Sequence, residues 1–165
     1  MAIRTIRSPI LPVSSCRSTR RRAVSRSDDS IGGPVGDHVA ALTPYARSLG
    51  IAVDRYEDGV PVITVPFASG VEGRPGHFHG GATSGVLETA GYAALRCALT
   101  ERGVQPQLKP INITVQFLAA AKNETVFAMA RINKLGRRNA NLTVEAWQSD
   151  RSRPVATAVM NILMV

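Results

Sequence analysis

A chain of 165 residues with 44% hydrophobic content fits one ordinary domain, able to bury a core without disulfides or a structural metal and leaving no room for a second catalytic domain. The formal net charge of +8 sits mostly at the start: seven arginines (Arg4, Arg7, Arg17, Arg20, Arg21, Arg22, Arg26) precede the first acid, Asp28, so 13 of the 20 basic residues remain to face 12 acidic ones in a nearly neutral body. No window reaches the roughly 18 apolar residues of a membrane span, and Cys16 and Cys97 form no close-spaced pair, which argues against a disulfide framework or thiolate metal site and favours a reducing cytoplasm.

The arginine- and serine-rich, acid-poor start has the composition of a transit peptide and equally of a nucleic-acid-binding arm. It is too rich in Arg, Ser and Pro to pack, so residues 1–34 are expected to form a disordered basic tail ahead of a domain over 35–165. From Asp37 the pattern turns helical, with Val39, Leu42, Ala46 and Leu49 near one face and Pro44 interrupting it. Residues 51–56 and 60–67 are two β-branched runs split by Glu57, Asp58 and Gly59, the punctuation of a hairpin. Residues 71–78, with two glycines and a proline, predict an irregular loop.

From Gly80 to about Leu99 the residues are nearly all small or apolar and cover more than one face, which predicts a helix buried almost all round. Gly85 and Gly91 cost about 1 kcal/mol each relative to alanine, a cost compatible with close approach of other backbone. Residues 111–117 then alternate apolar and polar, predicting a strand with one face on a core, and further strands follow over 125–133, 141–148 and 154–164. One buried helix and a sheet long enough to curl around it give an α+β fold with the helix as filling.

Glu88 is the only acid or base between Gly80 and Leu95. A lone carboxylate in such a helix is costly unless paired or hydrogen-bonded, so it reads either as a catalytic base or as a structural glutamate reaching solvent or an arginine. His79, Gly80 and Gly81 mark the entry to the same helix, where free backbone N–H groups at the positive end of the helix dipole can hold a developing oxyanion. Alone, a glycine-rich helix entry is equally compatible with packing.

Taken together, His79, Gly80 and Gly81, followed nine residues after the histidine by Glu88, resemble the hotdog-fold thioesterase superfamily, in particular its PaaI-like acyl-CoA thioesterase branch. Gly73, Arg74, Pro75 and Gly76 before the motif and residues 113–122 after the helix extend the resemblance over about residues 45–165. It implies one long central helix wrapped by a curved antiparallel sheet, and homodimers, or dimers of dimers, joined through a continuous sheet. It also implies hydrolysis of an acyl-CoA or aryl-acyl-CoA at sites between subunits, with no cofactor beyond the CoA of the substrate.

Carried over, Glu88 is general base or nucleophile, Gly80 the oxyanion donor, and His79 and Gly81 the turn that shapes the site. Many relatives place an Asn or Gln where Gly73 and Arg74 stand, and a Ser or Thr where residues 108–110 stand; Thr89 and Tyr92 are the candidates here to orient water. Arg74, His77, Tyr92, Arg137 and Arg138 are the expected substrate contacts, the turn arginines as partners for CoA phosphates.

Two rivals remain open at this stage. His77, Phe78, His79 and Gly80 look like the His-Phe-Pro-Gly start of hotdog hydroxyacyl dehydratases, but those place their glutamate nearer Ala90, Gly91 and Tyr92. A non-catalytic acyl-CoA sensor would use the basic tail on DNA, although no helix-turn-helix pattern precedes the domain. Metal chemistry is disfavoured, since only His38, His77 and His79 offer imidazole.

Overall fold

The computed structural model of the chain describes residues 43–165; the basic tail and the first expected helical positions, Val39 and Leu42, lie outside the described residues. The short helix α1 (Pro44–Ser48) starts where Thr43 accepts the Ala46 N–H at 3.0 Å through Oγ1. Pro44 is its first residue, a position that needs no N–H donor, so the proline begins this helix rather than breaking it. Strands β1 (Ala52–Glu57) and β2 (Val60–Val65) form the expected hairpin, closed by Asp58 and Gly59 at φ of 49° and 80°, the left-handed pair that a tight two-residue turn requires.

A 3₁₀ turn (Ser69–Val71) and a bridge between Glu72 and Phe78 carry the chain to the long helix α2 (Gly80–Glu101). Val86, Leu87 and Leu95 are fully buried, each stabilising the fold by about 1.5–3 kcal/mol relative to exposure. The helix glycines are indeed contact points, but with side chains rather than backbone. A Cβ at Gly85 would lie 2.8 Å from the Tyr45 ring of α1, and one at Gly91 would collide with the Met160 thioether.

Strands β3 (Leu108–Phe117), β4 (Val126–Leu135), β5 (Asn139–Trp147) and β6 (Ala156–Met164) complete one six-stranded, wholly antiparallel sheet in the order β1-β2-β4-β5-β6-β3. Strict alternation along β4, β5 and β6 turns Val126, Ala128, Ala130, Ala140, Leu142, Val144, Ala158, Met160 and Ile162 inward against α2. The result is the expected long helix wrapped by a curved sheet.

One expectation changes. β3 meets the core only through half-buried Leu108 and Val115; its other residues are exposed on both faces, with Ile111, Ile113 and Phe117 at 55%, 37% and 59% exposure. The cause is topological, because the chain crosses over after α2 and leaves β3 at a sheet edge, beyond the strands that the helix chiefly covers. Among the described residues no helix is long and apolar enough to cross a membrane.

Candidate active site

The start of α2 is set by one imidazole. His79 is the extended N-cap residue; its Nδ1 accepts the Gly81 N–H at 2.9 Å and its carbonyl accepts the Thr83 N–H at 3.1 Å. An accepting Nδ1 carries no proton, so the neutral ring bears its hydrogen on Nε2. A Cβ on Gly81 would come within 2.9 Å of that Nδ1, which is why glycine is needed for the ring to fold back. With the Gly81 N–H engaged, the Gly80 N–H is left without a hydrogen-bond partner among the described residues, at the positive end of the helix.

The turn is held from behind. The His79 N–H donates to the Val71 carbonyl at 2.8 Å and the Phe78 N–H to the Ala121 carbonyl at 3.0 Å. A Cβ on Gly73 would sit 3.0 Å from His79 Cα, so this glycine lets the loop close over the histidine. His77 is half-buried, with Nδ1 2.9 Å from the Pro75 carbonyl, and Arg74 is exposed in the same loop.

In front of Gly80 lies a cleft of about 320 Å³ lined by Phe78, Gly80, Thr83, Phe117, Leu118 and Ala119–Ala121. A Cβ on Gly80 would meet the Phe117 ring at 3.3 Å, so glycine keeps backbone and ring in contact and the N–H accessible. Phe117, Leu118 and Thr83 were not among the residues singled out from sequence. The available signal was two large apolar residues followed by three alanines past a strand end, where polar turn residues would be expected.

Glu88 is half-buried and belongs to a stripe on α2 at four-residue spacing: Ser84, Glu88 and Tyr92 half-buried, Arg96 exposed. These are nearly all the openings in a helix otherwise covered from Ala82 to Leu99. Burial first, and the Glu88 charge second, hold the Tyr92 phenol above its ordinary value, so it stays protonated as a donor beside the carboxylate. Thr89 is not part of the stripe: it is buried and donates to the Gly85 carbonyl at 2.7 Å.

Two groups of the expected residues are therefore separated. Arg74, His77, His79, Gly80 and Gly81 gather at the start of α2, whereas Arg137 and Arg138 lie in the β4–β5 turn beyond its far end. There Arg137 and Arg102 border a groove of about 640 Å³ with Leu99, Leu135 and Met164. Among the described residues no group of three His, Cys, Asp or Glu side chains is placed to hold a metal ion.

Residues 71–163 match the family model described as the acyl-CoA thioesterase N-terminal domain. No curated protein sequence matches the chain. Among solved structures, a Chromobacterium violaceum protein is 31% identical, with 78% of this chain and 88% of that one covered and a TM-score of 0.61. A mutant thioesterase from Pseudomonas aeruginosa is 23% identical over 81% and 96% of the two chains, with a TM-score of 0.68. The E. coli PaaI protein from the phenylacetic acid degradation operon is 18% identical over 79% and 91%, with a TM-score of 0.66.

Proposed function

Because the chain belongs to the acyl-CoA thioesterase family of hotdog proteins, we propose that it hydrolyses an acyl-CoA or aryl-acyl-CoA to the free acid and CoA, at sites each shared by two copies of the chain. The observation that carries this reading is the pairing of an unpartnered Gly80 N–H at a helix start with a lone half-buried carboxylate, Glu88, on the open stripe of the same helix.

The two groups cannot serve one thioester within one chain. Eight residues along a helix are about 12 Å, whereas attacking group and carbonyl carbon must approach to about 3–3.5 Å. Two copies joined through β3 about a two-fold axis run their helices in opposite directions, bringing Glu88 of one copy toward the Gly80 end of the other. The thioester carbonyl then accepts the Gly80 N–H, which stabilises the charge that develops on its oxygen. Glu88 either removes a proton from water as it attacks the carbonyl carbon, or attacks that carbon itself to form an anhydride that water then hydrolyses; by either route CoA leaves as the thiolate and the free acid is released. The Tyr92 phenol, one turn on, orients the water or the carboxylate. No cofactor enters these steps.

The same two-fold moves Arg137 and Arg138 of one copy to the Gly80 end of the other. Arginines separated from the site within a chain thereby become partners for CoA phosphates.

Replacing Glu88 by alanine tests the assignment. Thiol release from a panel of acyl-CoA substrates is expected to fall at least about a hundredfold, with melting temperature equal to or above that of the parent, because a half-buried carboxylate kept for chemistry stabilises nothing. Full turnover by a variant that melts well below the parent would return Glu88 to a structural role.

A further inference from the structure

The outer face of the sheet carries a row of side-chain amides that runs across four strands. Asn133 Nδ2 on β4 donates to Asn141 Oδ1 on β5 at 3.0 Å, and Asn141 Nδ2 donates to Asn161 Oδ1 on β6 at 2.9 Å. Asn161 Nδ2 donates in turn to Asn112 Oδ1 on β3 at 2.8 Å. The row has one direction and ends at the free edge, where the Asn112 amide nitrogen is left with no bond among the described residues. A carboxamide oxygen accepts two hydrogen bonds and its nitrogen donates two. At that edge each copy therefore offers both an unused donor and a remaining acceptor on a single group.

We infer that Asn112 lies on the two-fold axis of the dimer, facing Asn112 of the second copy, so that the two rows join into one amide ladder of eight asparagines and fix the register of β3 against itself. The inference rests on the dimeric reading above and goes beyond it by naming the residue that sets the alignment. Only the residue on the axis of an antiparallel self-pairing meets its own twin, and only a group that both donates and accepts satisfies that contact twice. Asn112 also stands near the middle of β3: counting the extra residue of the bulge between Pro110 and Asn112, an axis there pairs Leu108 with Val115 of the partner, inner face with inner face, and leaves Gln116 and Phe117 unmatched. The β3–β6 register shifts between Pro110 and Asn112, so the bulge lies directly beside the residue placed on the axis.

Register matters to the chemistry because a slip that keeps the same faces moves the axis along β3. Each residue of shift in the axis displaces one subunit relative to the other by about 6.8 Å, twice the rise per residue. Glu88 would then be out of reach of the opposite carbonyl, which makes Asn112 a positioning residue that acts through the partner.

Introduced thiols test the alignment. In the full chain with Cys16→Ser, mild oxidation of Asn112→Cys is expected to give a covalent dimer on a non-reducing gel, since facing residues in an antiparallel pair have Cα atoms about 4.5–5.5 Å apart, within disulfide range. Thr114→Cys, two residues off the axis, would lie about 13 Å from its twin and stay unlinked. As a second readout, Asn112→Asp sets two carboxylates face to face and should raise the dimer Kd at pH 7 by at least about tenfold, more than Asn112→Ala does. A monomeric parent, linking at Thr114 instead of Asn112, linking at neither, or an unchanged Kd in Asn112→Asp would each overturn the register. An active dimer that fails to link at Asn112 overturns the register and leaves the hydrolysis standing, whereas a linked dimer that releases no thiol does the reverse.

Discussion

At one edge of the sheet β1 carries Asp54, Arg55 and Glu57, and its register with β2 shifts between Val53 and Arg55. Arg55 bonds both acids, Arg151 reaches across to Glu57 at 2.6 Å and to Glu145 at 2.6 Å, and its guanidinium stacks 4.6 Å from the Trp147 ring. At the opposite edge β3 has no charged residue from Pro110 to Phe117 and exposes Ile111, Ile113 and Phe117, the last two on the side where α2 lies. Charge is an ordinary defence of an edge against pairing; since both edge strands carry a register shift, β3 between Pro110 and Asn112, charge is what separates them. Exposure alone therefore does not mark an interface: both edges are exposed, and only β3 combines apolar side chains, an open amide and continuity with the cleft through Phe117.

The largest effect is expected from placing a charge on the undefended edge. Ile113→Asp should abolish the dimer and reduce thioester turnover at least about a hundredfold, with little change in the monomer's fold because the residue is already partly exposed. Ala52→Asp on β1 should change neither, as sedimentation and thiol release will read. Next comes the double replacement of Arg137 and Arg138 by alanine, which should raise KM for acyl-CoA by roughly tenfold while leaving kcat within about twofold.

Arg151→Ala, on the defended side, should lower stability by about 1 kcal/mol and leave turnover per folded molecule unchanged. The Arg55 bond, and with it Arg151, holds the Glu57 carboxyl below its ordinary value. A folded-state value lowered in this way contributes stability that is present above the ordinary glutamate value and lost as pH falls from there through the lowered one. Melting temperature followed down through that range should therefore fall more steeply for the parent than for Arg151→Ala. The smallest effect is assigned to the basic tail: removing residues 1–33 should leave both melting temperature and hydrolysis nearly unchanged.

The hairpin at Asp58 and Gly59, the all-round buried helix and the alternation of β4, β5 and β6 were legible in the sequence because each depends on local chemistry: turn residues, small side chains, period-two burial. The role expected of β3 was not, since alternation shows that one face is apolar but not what covers it. Strand order, a matter of chain crossover, left most of that face outside the chain's own core, with only Leu108 and Val115 packed against it. Within the site, Glu88 and the His79–Gly81 turn stood out because they break their surroundings. Phe117 and Thr83 did not, since their part depends on where β3 ends in space. The ring Nδ1 that occupies the Gly81 N–H, while the Gly80 N–H stays open, is likewise a matter of rotamer that no spacing reveals.

The proposal that each site takes its acid and its oxyanion donor from different copies is tested most directly by mixing two inactive chains. Glu88→Ala lacks the acid, and Gly80→Val crowds the donor against Phe117; each alone should be nearly inactive. Co-expressed, half of the dimers combine the two, and each of these holds one intact site beside one doubly broken site, so about a quarter of the parent turnover should return. A mixture that forms mixed dimers, verified by differential tags, yet recovers no turnover would contradict a shared site.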